Sequence, residues 1–188
     1  MTTRRELRLL LAQGRYALSL GRVKDVVPLI QAQPGLVEPL VELLFEEDTG
    51  ISQRAADVLE RISHNPSPAL YRVLVRSKDA LLGLLAEAGP KKLRWNLALT
   101  LGRVPLNVSE CRRAVNILST WLDDSSSIVK TAALQCMADL TRLDSPLLPE
   151  VLDLLRLHSR SGTPAMRARC RILLKKLEKR PGKNDARV

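Results

Sequence analysis

Residues 125–140 read SSSIVKTAALQCMADL: three serines run straight into an alanine-rich segment whose only charges are Lys130 and Asp139. Such a segment has helical spacing but almost no solvated face, so it must be covered by other helices on more than one side. Taking Lys130 as position zero, Gln13, Ser52, Arg94 and Arg167 occupy the same place in four other segments, spaced 39, 42, 36 and 37 residues apart. Position −1 is then Ala12, Ile51, Leu93, Val129 and Met166, and position +3 is Tyr16, Ala55, Leu97, Ala133 and Cys170. Position +7 is Leu20, Leu59, Leu101, Met137 and Leu174, and position +10 is Val23, Ile62, Val104, Leu140 and Leu177. Steps of three and four keep returning to one side of a 3.6-residue turn, so each segment is expected to bury one face. Ala17, Ala56, Ala98 and Leu134 at position +4 adjoin that face, and small side chains there let helices approach closely. A shorter echo, LSLGRV at 18–23 against LTLGRV at 99–104, supports the same register.

Between these inner segments the sequence supplies partners for them. Residues 23–48 split at Pro34-Gly35, residues 68–89 split near Ser77, and residues 107–124 and 145–160 each read as one amphipathic helix. Ser67-Pro68, Ser145-Pro146 and Thr163-Pro164 place a capping oxygen before a proline at the first helical position, and Gly89-Pro90 stops a helix. Nothing alternates with a period of two between turn signals, so no sheet is expected.

A repeated helical pair of this length with a pattern like IVKTAAL and LRWNLAL resembles the HEAT and armadillo repeats, and the resemblance runs over residues 2–179. It is also similar to short bacterial HEAT-like proteins. The resemblance implies an all-α, right-handed α-solenoid of about five repeats, one domain over residues 1–179, with residues 180–188 a basic, disordered tail. Stacked pairs each cover a face that one pair cannot cover alone, and the terminal unit turns charge to water. Arg169 and Arg171 on the last inner segment fit such an end.

Composition bounds the rest. The 188 residues are 45% hydrophobic and only 3% aromatic, so the core must be aliphatic. The formal net charge of +10 is uneven: Arg156–Val188 holds eleven Lys or Arg against Glu178 and Asp185, and residues 1–24 hold six against Glu6. Residues 25–155 are left with thirteen basic and seventeen acidic side chains, which argues against a continuous track for nucleic-acid phosphates. The Arg-rich first 23 residues resemble a mitochondrial targeting segment in composition, yet they fit the repeat register and read as structural. Cys111, Cys136 and Cys170 are odd in number and widely spaced, as expected of reduced thiols in a cytoplasmic protein rather than a disulfide or zinc framework. No apolar run approaches the length of a membrane span.

Candidate functional residues come from the same register. Positions +2 and +9 share a side of the helix and hold Arg15 and Arg22, Arg54 and Arg61, Arg103, and Arg169 and Lys176, an expected basic stripe on the inner face. Trp95 at position +1 is expected either to project into the groove or to pack on an outer helix, whereas Trp121 is expected in the core. Arg94, Lys130 and Arg167 sit at helix N-termini, where the dipole disfavours a cation, so an acid such as Asp123 or Asp124 is expected beside them. His64 and His158 lack the neighbours of a metal site. No nucleophile-elbow, phosphate-loop, zincin or dinucleotide-binding pattern is present. Asp57 and Asp139 lie where HEAT-like DNA glycosylases carry a catalytic acid, but without the aromatic cluster those enzymes use. The sequence therefore points to a non-catalytic scaffold without cofactor or metal that binds a protein or peptide partner on its concave face, acidic partners being among the candidates. The alternative is binding of duplex DNA phosphates by the stripe.

Overall fold

The computed structural model describes residues 3–141 and 145–178, and all regular structure among them is helical. Eleven α-helices follow one another: α1 Arg4–Ala12, α2 Val23–Ala32, α3 Val37–Glu42, α4 Thr49–Ile62, α5 Pro68–Arg76, α6 Lys78–Glu87, α7 Lys91–Leu101, α8 Val108–Thr120, α9 Ser127–Leu140, α10 Leu148–Ser161 and α11 Pro164–Glu178. Short 3-10 turns flank α3 and join α8 to α9 and lead into α10. The proposed tail lies outside the described residues.

Helices α4, α7, α9 and α11 pack in sequence, each on the next, and their register is the one read from the sequence. Ile51, Leu93, Val129 and Met166 are buried, as are Ala55, Leu97, Ala133 and Cys170, and Ile62, Val104, Leu140 and Leu177. Only Leu174 of the matching positions in these four helices is half-buried. Buried apolar side chains from Leu7 to Leu177 form one contiguous core. Helix α4 is covered most completely, with α1, α2, α3 and α7 packed around it, so even Ser52, Gln53, Arg54 and Asp57 are buried.

Helix boundaries follow local chemistry. Ser67 Oγ accepts from Leu70 N at 3.3 Å and Thr163 Oγ1 from Met166 N at 3.4 Å, two of the three caps expected before proline; at Ser145-Pro146 a 3-10 turn forms instead and α10 starts at Leu148. Asn107 and Glu110 form a reciprocal capping box on α8, as Thr3 and Glu6 do on α1. Ser77 separates α5 from α6 at the expected break and hands its hydroxyl proton to Val73 O at 3.1 Å.

The first segment departs from the expected frame. Residues 13–22 are not helical, Tyr16 is 66% exposed and Leu20 51% exposed, and the helix packed on α4 at that end is α1, through Leu7 and Leu11. The cause is Arg54. Its Nε donates to Leu11 O and its Nη1 to Tyr16 O at 3.3 Å, so the guanidinium takes a carbonyl that a continuing helix would use. Gly14 permits this, because a Cβ there would stand 2.5 Å from Arg54 Nη1. The chain then reverses at Gly21, whose φ of +51° and nearness to Gln13 O exclude a side chain.

Candidate binding groove

The eight side chains singled out from sequence divide once their surroundings are known. Arg54 is 3% exposed and serves the 13–22 loop, so it belongs to the interior and not to a surface stripe. Burial pushes its pKa down from the ordinary arginine value, and Asp48 pulls it back up. Arg22 pairs with Asp25 and donates to Gln13 Oε1 at 3.3 Å. Arg61 holds Asp57 at 2.7 Å. Arg103 caps the end of α4, donating to Glu60 O at 3.1 Å, Ser63 Oγ at 2.8 Å and Glu60 Oε1 at 2.9 Å. Lys176 stands 3.9 Å from Asp139. Arg15 and Arg169 are exposed, and neither has a carboxylate within ion-pair range among the described residues. The expected stripe is therefore broken by internal pairing rather than continuous.

A different site emerges between the 13–22 loop and helices α4, α7 and α9. An open groove of about 590 Å³ is lined by Leu18 and Leu20 from the loop, Asp57, Glu60 and Arg61 from α4, Lys91, Lys92, Trp95, Asn96 and Leu99 from α7, and Ile128 from α9. The lining of α7 follows from its spacing, since residues 91, 92, 95, 96 and 99 fall on one side of a helix. Trp95 is half-buried: it packs against the core edge and also walls the groove. Trp121 is in the core, with Arg94 lying 6.0 Å from its ring centre. Arg94 pairs with Asp124 at 2.8 Å, one of the acids expected beside it. Leu18 is 46% and Ile128 49% exposed, a high value for aliphatic side chains on a concave face.

The polar floor of the groove is nearly saturated. Lys92 Nζ, although its side chain is only 6% exposed, meets Asp57 Oδ2 at 3.0 Å and donates to Leu18 O at 3.4 Å, tying α7 to α4 and to the loop. Glu60 Oε1 takes both Arg103 and His64 Nε2, the latter at 2.8 Å. Asn96 is the exception: it is 5% exposed and its Nδ2 finds no acceptor. Sequence reading passed over Asn96, Leu18 and Ile128. Asn96 stood at position +2 of the frame, among the arginines, and only the packing of α7 shows it to be buried.

Among the described residues no group of three or more His, Cys, Asp or Glu side chains is placed to share a metal ion. Asp57, buried between Lys92 and Arg61, is committed to those two cations. Burial, with Lys130 nearby, lowers the pKa of His158, while Asp123 pulls it up. No helix among the described residues is long and apolar enough to cross a membrane.

The sequence matches no family model, and it matches no curated protein. Among solved structures the chain is similar to the crystal structure of an engineered protein, with a TM-score of 0.64 and 16% identity over 92% of this chain and 79% of the other. At that identity the likeness is one of fold alone.

Proposed function

We propose that this chain is a non-catalytic helical-repeat scaffold of HEAT- or armadillo-like units that binds a protein or peptide partner on the shared face of α4, α7, α9 and α11. The observation that carries the proposal is the open groove itself: exposed aliphatic side chains and a tryptophan above acids that are already neutralised. Stacked helices present such an extended surface without any catalytic group. The unit register repeated in α4, α7, α9 and α11 supports the solenoid reading, with α1 standing in for the inner helix of the first unit. Duplex DNA is a weaker reading, because Arg22, Arg54, Arg61 and Arg103 are engaged internally and the groove also presents Asp57, Glu60 and the apolar side chains of Leu18, Leu20, Leu99 and Ile128.

The test compares partner classes side by side. Wild-type protein and a Leu99→Glu variant are used to capture proteins from host extract and are titrated with duplex DNA over a salt series. A stoichiometric protein partner lost in Leu99→Glu supports the proposal. Tight DNA binding that weakens linearly on logarithmic axes, unchanged by Leu99→Glu, overturns it.

A further inference from the structure

Asn96 Nδ2 is an amide donor buried at the groove floor with no acceptor. Buried amide donors in folded proteins are nearly always paired, and Asn96 lines the groove, so a turn of its side chain toward the groove lets an incoming acceptor satisfy a donor that is otherwise buried and unpaired. The other orphan, Arg94 Nε, differs in setting, because its guanidinium already pairs with Asp124 beside Trp121 and does not line the groove.

Two further observations bear on what enters. A second depression of about 230 Å³, lined from α9 to Arg169 on α11, adjoins the first at Leu99 and Ile128, so a segment lying over both crosses those two side chains. Crossing α4, α7, α9 and α11 at the usual spacing of about 8–10 Å spans roughly 24–30 Å, the length of about eight extended residues. Positive charge is left over along this face: Lys91 on α7 and Arg169 on α11 have no carboxylate within ion-pair range among the described residues, and Lys92 and Arg61 share the single carboxylate of Asp57. The acids of the groove, Asp57 and Glu60, are taken.

The geometry points to an extended segment of a partner polypeptide, aliphatic or aromatic in its middle and carrying Asp or Glu near its ends, with a main-chain carbonyl accepting from Asn96 Nδ2. This rests on the proposed protein-binding function and names the chemistry of the occupant. Leu18, Leu20 and Ile128 receive its apolar side chains, and Lys91 and Arg169 its acids. A nucleic-acid strand would instead lay phosphates over the carboxylates of Asp57 and Glu60 and the aliphatic side chains at the rim.

The experiment selects octapeptides from a displayed random library on the full-length protein, then titrates the synthetic peptides by calorimetry and by NMR of the two tryptophan indoles. Selected peptides are expected to share an apolar centre with flanking acids, and to shift the Trp95 indole while leaving Trp121 unmoved. Asn96→Leu, which removes the orphan, is expected to be at least as stable as wild type by thermal unfolding yet to bind at least tenfold more weakly. Arg169→Glu is expected to lose the preference for an acid at one end. Peptides that bind without moving Trp95, and equally well to Asn96→Leu, overturn this inference while leaving protein binding standing. Failure to enrich any peptide overturns the inference, and tight duplex DNA binding alongside that failure removes the protein-binding reading as well.

Discussion

Arg54 directs its guanidinium at the carbonyls of Leu11 and Tyr16, and in doing so holds ten residues of loop against a rigid helix. Replacing it with Leu removes the donor to the buried Leu11 carbonyl, whereas Tyr16 O keeps Ser19 N and Ser19 Oγ. Arg54→Leu is expected to lose about 1–3 kcal/mol in urea unfolding, from one buried acceptor left without its donor. Limited trypsin digestion of this variant is expected to cut first after Arg15, because the loop loses its anchor. The cysteines make a second residue-scale prediction. Burial pushes the Cys170 thiol up to about 11 from an ordinary 9.0, and desolvation raises Cys136 further. Between pH 9 and pH 11 the unfolded chain has given up thiol protons that the native state retains, so stability falls as pH rises through that window. A urea series over this range is expected to show the loss, and Cys170→Ala is expected to lessen its slope, Cys136 supplying the remainder. Arg54 also marks the limit of sequence reading: at position +2 it looked like its neighbours Arg15 and Arg169, and nothing local shows that α1 ends against it.

Helix α7 and the segment before α2 carry nearly the same words, LTLGRV and LSLGRV, in different conformations. In the first, Gly102 is an ordinary helix cap with φ −61°; in the second, Gly21 turns the chain at φ +51°. Val104 and Val23 are buried in both, so hydrophobic register was legible while helicity was not. The inner helices α4, α7, α9 and α11 were readable because their four buried positions depend only on the 3.6-residue period. The first was misread because its interruption depends on a tertiary contact. Two element-scale predictions follow from the packing. Ala98 is fully buried where α7 meets its neighbours, so Ala98→Leu is expected to cost about 1–3 kcal/mol by overpacking, measured by thermal or urea unfolding. Asn107 closes the capping box of α8, and Asn107→Ala is expected to cost about 1 kcal/mol. The Lys78 ammonium and the Asn107 N–H hold the Glu110 carboxyl below its usual range, so this box weakens when acid protonates it.

Over the whole molecule, stability should follow the order of stacking. Helices α4, α7 and α9 have inner neighbours on both sides, whereas α11 packs on α9 and α10 alone. Amide hydrogen exchange is expected to be slowest in α4, α7 and α9, faster in α11, and fastest in residues 13–22. Equal protection throughout would refute a stack of nearest-neighbour units. Net charge behaves differently at this scale than in the sequence. Arg4 pairs with Glu42 at 2.9 Å and Glu46 at 3.0 Å, and Arg8 with Glu46 at 3.2 Å, so much of the N-terminal basicity is met by the acidic middle. Duplex DNA affinity at physiological salt is therefore expected to stay no tighter than about micromolar. The asymmetry of charge was readable from composition; its cancellation required knowing that α1 lies across the 42–46 turn.

The 13–22 segment is fastened to the stack by side-chain clasps from Arg54 and Lys92, and Leu18 and Leu20 stand at the rim of the groove. On the proposed peptide-binding reading, recognition is thereby separated from architecture: new residues at positions 18 and 20 are expected to alter what docks while the helical register beneath them stays untouched. Diversifying those two sites alone, with both glycines and both clasps kept, is a direct route to variants with altered peptide preference on an unchanged frame.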